Sequence, residues 1–131
     1  MKYLLDTSVF IHSVISQPKL NHRALKLLAA SSSELYLSAV STWEITIKVG
    51  TGKLVLLERP AEFVTRAIQT MSLQALPITH LHALEVDALP NYHRDPFDRM
   101  LIAQARIEGM TILTDDTAFQ RYDVEQVYCG R

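Results

Sequence analysis

The amino-acid sequence predicts an α/β fold in which a mainly parallel sheet carries helices on both faces. Short apolar segments alternate with longer amphipathic segments along most of the 131 residues, the pattern of strand–helix–strand units. The four glycines and five prolines lie mostly between these segments, as element boundaries require. Hydrophobic residues make up 48% of the chain and charged residues 21%, so the chain can bury a core and we expect one domain over residues 1–131.

The first half of the chain predicts two strands and three helices. In chain order we expect strand KYLL, helix VFIHSVIS, amphipathic helix HRALKLLAAS, strand ELYLS and helix AVSTWEITIKVG. Gly50 and Gly52 are expected to end the last of these helices, because glycine is common at helix C-termini.

The second half continues the alternation. Pro60 opens a helix, PAEFVTRAIQTM, because the first helical turn tolerates proline. A weak strand candidate, LQALPI, and a short helix, HLHALEVDAL, come next. A longer helix runs from Pro96 to Glu108 and is closed by Gly109. The chain then predicts a strand, MTILT, a turn or short helix, DTAFQRY, and a last strand, VEQVYC.

Acidic residues follow two of the predicted strands. Asp6 comes directly after KYLL, and Asp115 and Asp116 follow MTILT. Each of these acids, taken alone, is also explained as the N-cap of the next helical segment. In parallel sheets, however, ligand sites collect beyond the carboxyl ends of the strands, so these acids are expected at one edge.

Glu44 interrupts an apolar helix face. The spacing i, i+3, i+4, i+7 places it on a stripe with Val40, Trp43 and Ile47, where a lone carboxylate is costly to bury. The alternative is a capping box from Ser41 to Glu44, which requires the helix to begin at Ser41 rather than nearer Ser38. We favour a functional role, because breaks in a pattern often mark sites. On the same stripe, we expect Trp43 to pack in the core rather than to stack a base.

The stretch DPFD, residues 95–98, contains two acids with different expected roles. Asp95 as N-cap and Pro96 at the first helical position explain the helix start completely. Asp98 instead shares a helix face with Ile102 and Ala105, so its carboxylate is expected to point into a close-packed layer. We therefore assign Asp95 to the helix start and Asp98 to the candidate site.

The converging acids predict a metal site. Neighbouring carboxylates repel one another unless a cation neutralises them, and oxygen-rich sites suit Mg²⁺ or Mn²⁺. The candidate ligands are Asp6, Glu44, Asp98 and either Asp115 or Asp116. The chemistry most typical of such a site is metal-assisted phosphoryl transfer.

Four blocks of sequence resemble one known family. LLDTSVFI, SAVSTWEITIKVGTGKL, HRDPFDRMLIAQA and ILTDDTAF occur in this order, nearly end to end. Together they resemble the PIN-domain ribonucleases, especially VapC-type toxins of prokaryotic toxin–antitoxin pairs. The resemblance implies a three-layer α/β/α sandwich with a central, mainly parallel sheet, and a Mg²⁺ or Mn²⁺ site. The implied ligands are Asp6, Glu44, Asp98 and Asp116; the family pattern favours Asp116, with Asp115 as the alternative.

The resemblance also implies an activity and partners. The activity is endonucleolytic hydrolysis of RNA to a 3′-hydroxyl and a 5′-phosphate, with one unassigned acid as general base. Thr7 or Ser8, together with Thr114, match positions whose hydroxyls support the metal site. The expected partners are a VapB-like antitoxin whose C-terminal segment covers the acids, and a second copy in a homodimer.

Candidate contacts for substrate phosphates are Lys48, His93, Arg94 and Arg99. Lys48 lies four residues after Glu44, so a salt bridge to that carboxylate is an equally good reading of its position. His80 and His82 are expected to be ordinary helix residues, because an H-x-H pair on a helix points its rings apart. Cys129 is expected to be structural.

The composition indicates which class of protein the chain belongs to. A net charge of −1 gives no global basic field, and a single cysteine excludes an internal disulfide and suits the cytoplasm. We find no signal-peptide pattern and no apolar run long enough to span a membrane.

Two other functions fit the sequence less well: a catalytically degenerate PIN-fold module that binds RNA or protein, and a receiver-like phosphoacceptor domain. The receiver reading is the weaker, because LQALPI lacks the acid that it requires.

Overall fold

A five-stranded, all-parallel sheet forms the middle layer of the computed structural model, which describes residues 1–131. The strands are β1 (Lys2–Leu5), β2 (Glu34–Ser38), β3 (Gln74–Leu76), β4 (Thr111–Thr114) and β5 (Gln126–Tyr128). Their order across the sheet is β3-β2-β1-β4-β5, and every neighbouring pair is parallel. The weak candidate at LQALPI is therefore a real but short edge strand.

Six α-helices connect the strands, with short 3-10 turns at Gln17–Lys19 and Thr117–Arg121. The helices are α1 (Thr7–Ile15), α2 (His22–Ala29), α3 (Ala39–Gly50), α4 (Pro60–Thr70), α5 (His80–Ala88) and α6 (Pro96–Glu108). Side-chain caps begin most of them; Asp95, for example, accepts hydrogen bonds from the first N–H groups of α6. Gly109 ends that helix in the left-handed conformation, at φ 67°.

The side chains of β1 alternate between two hydrophobic cores. Tyr3 and Leu5 face the core that α1, α2 and α4 cover, whereas Leu4 faces the core that α6 covers. Helix α3 contributes Ile45 to the first core and Val40 to the second. The predicted three-layer α/β/α arrangement is confirmed.

The strand order creates a crevice between the ends of β1 and β4. The chain passes from β1 to β2 on one side and from β4 to β5 on the other, so the segments after β1 and β4 diverge and leave space between them. Leu5 pairs with Leu113 in the register, and the N–H group of Asp6 donates to the carbonyl of Leu113 (2.9 Å). The two acidic strand ends therefore meet. A receiver-like sheet has the order 2-1-3-4-5, so the observed order contradicts that alternative.

The buried face of helix α3 differs from the predicted apolar stripe. Its buried face consists of Val40, Ser41, Glu44 and Ile45, so it turns by about one residue from the stripe that the sequence suggested. The prediction that Trp43 packs in the core is wrong: its side chain is 57% exposed, and its ring lies edge-on to Phe97, with 5.2 Å between centroids. No helix is both long and apolar enough to cross a membrane.

Candidate acidic site

Asp6 begins the site at the end of β1. It caps α1 by accepting a hydrogen bond from the N–H group of Val9 (2.7 Å), and its side chain is buried. The Thr114 hydroxyl donates to its carboxylate, which lowers its pKa, but burial dominates and raises that pKa to about 8. Asp6 is therefore both a helix cap and a carboxylate whose charge lacks sufficient compensation.

Glu44 approaches the same crevice from α3. Helix α3 begins at Ala39 with Ser38 as its N-cap, which rules out a capping box from Ser41 to Glu44. Glu44 is 3% exposed, and its Oε2 atom accepts a hydrogen bond from Lys48 Nζ at 2.6 Å. This contact raises the pKa of Lys48. The second oxygen, Oε1, is buried without any hydrogen-bond partner, although buried carboxylate oxygens are normally paired.

Asp98 and Asp116 meet at His93. The His93 Nε2 atom lies 3.1 Å from an Oδ2 atom of each carboxylate. Its Nδ1 atom accepts a hydrogen bond from the N–H group of Asp95 (3.1 Å), so in the neutral ring the proton is on Nε2, which donates to Asp116. Burial, more than the neighbouring Asp95, raises the pKa of Asp98 to about 7, and His93 partly offsets this.

Asp115 points away from this pair. Its Oδ2 atom accepts a hydrogen bond from the Ser8 hydroxyl (2.9 Å) and lies 3.1 Å from His12 Nδ1. Asp116 instead uses Oδ1 to cap the following turn, at Ala118 N, and leaves Oδ2 in the acidic cluster. The two adjacent acids therefore have different surroundings, which the sequence could not distinguish.

The predicted hydroxyls lie in or beside the crevice. Thr114 links two acids, because its hydroxyl donates to Asp6 and accepts from the N–H group of Asp116 (3.0 Å). Thr7 donates instead to the Ser41 hydroxyl (2.9 Å).

The predicted phosphate contacts divide into two groups. Lys48 lines the crevice, and His93 lies among the acids. Arg99 has partners within the protein: its guanidinium group donates to the carbonyls of Val86 and Pro90 and so anchors the end of α5. Its contact with substrate phosphate stays a prediction. Arg94 is exposed and does not line the crevice.

Two cationic or basic residues of the crevice escaped the sequence analysis. Lys53 and His12 both line it. Lys53 lies shortly after the end of α3, five residues beyond Lys48. This second lysine close to Glu44 in the sequence could have been predicted as a further phosphate contact. His12 lies five positions after the start of a helix, and only the fold brings it to the acids.

The remaining predictions concern residues outside the crevice. His82 is buried, accepts from the N–H group of Thr79 (3.1 Å) and contacts Glu108 (2.8 Å), whereas His80 is exposed. The two rings form no common cluster, in agreement with their predicted ordinary roles. Cys129 is buried, and burial raises the pKa of its thiol to about 12, which suits a structural residue.

The crevice as a whole is polar and acidic. Six carboxylate residues line it, and only three of its fourteen lining residues are hydrophobic. The six carboxylate residues are Asp6, Glu44, Asp95, Asp98, Asp115 and Asp116. Such a crevice is suited to a small, hard cation and a charged substrate rather than to an apolar ligand.

Comparison with known proteins identifies the family. A family model described as the PIN domain matches residues 3–125, nearly the whole chain. The chain belongs to the PIN domain family. A comparison of its sequence with curated proteins gives no match.

Solved structures resemble this PIN domain over almost its full length. VapBC2 from Rickettsia felis, bound to a DNA fragment from its promoter, is 17% identical, with a TM-score of 0.75 and coverage of 98% of this chain and 99% of that one. DNA-bound VapBC from Salmonella typhimurium is 19% identical, with a TM-score of 0.73 and 98% coverage of both chains. VapBC-5 from Mycobacterium tuberculosis, a member of the VapBC family of toxin–antitoxin systems, is 19% identical, with a TM-score of 0.60 and coverage of 97% and 98%. At these identities the similarity shows the fold.

Proposed function

We propose that this PIN domain is a Mg²⁺- or Mn²⁺-dependent endoribonuclease that acts as the toxin of a toxin–antitoxin pair. The observation that carries the proposal is the buried, unpartnered Oε1 atom of Glu44 in a crevice with five further acids. A buried carboxylate oxygen without a donor is an open ligand position for a cation.

The residues present fit a divalent cation. Asp6, Glu44, Asp98 and Asp116 would hold it, because all four line the crevice and offer only oxygen atoms. The raised pKa values of Asp6 and Asp98 show that these carboxylates lack compensating positive charge. We favour Asp116 over Asp115 as the fourth ligand, because Ser8 and His12 already surround the Asp115 oxygen.

His93 is a supporting residue rather than a ligand in this proposal. Its Nδ1 atom accepts from the N–H group of Asp95, so its Nε2–H group serves as a donor to Asp116 and lies 3.1 Å from Asp98 Oδ2. It thereby fixes the orientation of both carboxylates. Thr114 has the corresponding role for Asp6.

The bound cation would supply Lewis acidity for the attack of water on a phosphodiester bond. The chain's own residues bring the anionic backbone to the acids. Lys53 is exposed at the mouth of the crevice, and Lys48 lies beside Glu44, so both can attract RNA phosphates into an otherwise acidic site.

The partner in this proposal is a VapB-like antitoxin, and the chain forms a homodimer. The support is that structures similar to this PIN domain are VapBC complexes. An acidic crevice is complementary to a basic side chain of a covering peptide segment. We place the protein in the cytoplasm, where the reduced state of its single cysteine is maintained.

Cleavage assays with a matched pair of variants test the proposal. Purified wild-type protein should cleave a mixed pool of transfer, ribosomal and messenger RNA with Mg²⁺ or Mn²⁺ and should stop when EDTA is added. Asp98→Asn should abolish cleavage, whereas Asp87→Asn, on the exposed surface of α5, should cleave at the wild-type rate.

Two results would contradict the proposal. Tight RNA binding without cleavage in any divalent cation would favour the catalytically degenerate binding module. Cleavage at the wild-type rate by Asp98→Asn would show that the acidic cluster is not the active site.

A further inference from the structure

His12 and Asp115 form a separate pair at one wall of the acidic crevice. The His12 Nδ1 atom is enclosed and lies 3.1 Å from Asp115 Oδ2, although the alignment is not that of a hydrogen bond. The Ser8 hydroxyl donates to the same oxygen at 2.9 Å. The contact is thus electrostatic, and a small rotation of the imidazole would make it a hydrogen bond.

The contact with Asp115 orients the imidazole ring of His12. A carboxylate oxygen 3.1 Å from Nδ1 would repel a lone pair on that atom, so this contact favours the tautomer with the proton on Nδ1. The Nε2 atom makes no hydrogen bond within the protein, and of the two ring nitrogens only Nδ1 is enclosed. Since His12 lines the crevice, its Nε2 atom is free to bind a ligand there.

His12 shares the crevice with aliphatic side chains as well as with the acids. His12 is outside the group of ligand atoms formed by His93, Asp98 and Asp116. Ile11 and Leu54 line the same crevice and are partly buried. A crevice that offers both aliphatic and hydrogen-bonding side chains suits a sugar ring, which presents an apolar face and hydroxyl groups.

We propose that His12 contacts a ribose 2′-hydroxyl of the bound strand and makes this site prefer RNA to DNA, with Asp115 as its positioning residue. The proposal rests on the nuclease function proposed above. A 2′-hydroxyl both donates and accepts, so it can pair with Nε2 whether or not that atom carries a proton. A phosphate oxygen only accepts, so it would require the protonated ring.

Matched oligonucleotides test the contact in cleavage. The substrates are a single-stranded RNA with a site that the wild-type protein cleaves, and copies with one 2′-deoxynucleotide on either side of that site. One substitution should slow wild-type cleavage about tenfold, the effect of losing one hydrogen bond. His12→Ala should cleave both substrates at the same reduced rate, whereas the exposed His80→Ala control should keep the tenfold preference.

Asp115 variants test the positioning role. Asp115→Ala should lose most of the ribose preference, and Asp115→Asn should retain it, because the amide oxygen still accepts from Nδ1–H. Loss of all cleavage in Asp115→Asn would instead place Asp115 among the metal ligands and overturn this part of the proposal. Circular dichroism and thermal melting establish that each variant is folded.

Binding measurements separate this inference from the nuclease proposal. The RNA strand and its all-deoxy copy are titrated by fluorescence anisotropy into Asp98→Asn and into Asp98→Asn with His12→Ala. A ribose preference that disappears with His12 supports the contact even if the wild-type protein cleaves nothing, in which case only the nuclease proposal fails. An equal preference in both proteins, or equal rates of wild-type cleavage on ribose and deoxyribose substrates, refutes the role of His12.

Discussion

Replacing Asp98 by asparagine should stabilise the metal-free protein above neutral pH while abolishing its activity. Burial and the neighbouring Asp95 raise the pKa of Asp98 to about 7 from an ordinary value of 3.8. The folded protein therefore spends free energy to keep this carboxylate ionised at pH 8. Asparagine has nearly the same shape and removes that charge, so the cost disappears.

The size of the effect follows from the two pKa values. Their difference corresponds to about 4 kcal/mol at about 1.4 kcal/mol per pKa unit. The variant also loses the close contact of this carboxylate with His93 Nε2, so we expect a net gain of about 2 to 4 kcal/mol at pH 8. For a chain of this length that gain raises the melting temperature by roughly 6 to 15 °C.

The gain depends on pH in a defined direction. Between about pH 4 and pH 7 the folded protein holds a proton at Asp98 that the unfolded chain has released, so wild-type stability falls as pH rises. Asp98→Asn has no carboxylate at this position, so its stability does not fall with pH for this reason. Its advantage should therefore be near zero at pH 4 and complete at pH 8.

Thermal melting followed by circular dichroism, with EDTA present, measures the difference. Wild-type protein, Asp98→Asn and the exposed-surface control Asp87→Asn are compared from pH 4 to pH 8. The control should differ little from the wild type at each pH. A destabilised Asp98→Asn protein at pH 8, or a gain that does not change with pH, would refute the reasoning.

Three further predictions concern the same site and its support. Mn²⁺ should raise the melting temperature of the wild-type protein at pH 8 by several degrees, and EDTA should reverse the shift. The melting temperature of Asp98→Asn should rise much less. An equal shift in both proteins would show that the cation binds elsewhere. Asp95→Asn should keep RNA cleavage within about twofold of the wild type, because asparagine also caps a helix; a loss as large as that of Asp98→Asn would contradict the division of roles. Arg99→Met should lower the free energy of unfolding by about 2 kcal/mol in urea titrations, because it removes two hydrogen bonds, one to the carbonyl of Val86 and one to that of Pro90. A raised KM for RNA in Arg99→Met, with unchanged stability, would support the phosphate-binding reading of that residue.

Most elements could be predicted because their signals are local. The start of α6 illustrates this: Asp95, Pro96 and Gly109 specify its two ends through interactions within a few residues. The prediction that Asp6 and Asp116 lie near each other also succeeded, because parallel strands bring their carboxyl ends to one edge. Alternation of strands and helices was sufficient for this part of the site.

Helix α3 shows where local patterns were insufficient. Its apolar residues fit more than one stripe, and packing against both cores selected a face through Ser41 and Ile45 rather than Trp43 and Ile47. The exposure of Trp43 depends on which face of the helix packs against the two cores, which no neighbouring residue encodes. Glu44 lies on either face, so its burial was predicted correctly despite the wrong stripe.

Polar networks between distant segments depended entirely on the tertiary structure. Gln104 is completely buried on α6, where it accepts from Ser38 (2.6 Å) and donates to the carbonyl of Pro77 (3.3 Å), and nothing in its own helix indicates either partner. His12 and Asp115 are likewise more than a hundred residues apart. Residue types and spacing determined which acids the chain offers and the strand ends that carry them. Only the folded arrangement decided how each carboxylate is oriented and paired, because those energies depend on groups that folding brings within about 3 Å.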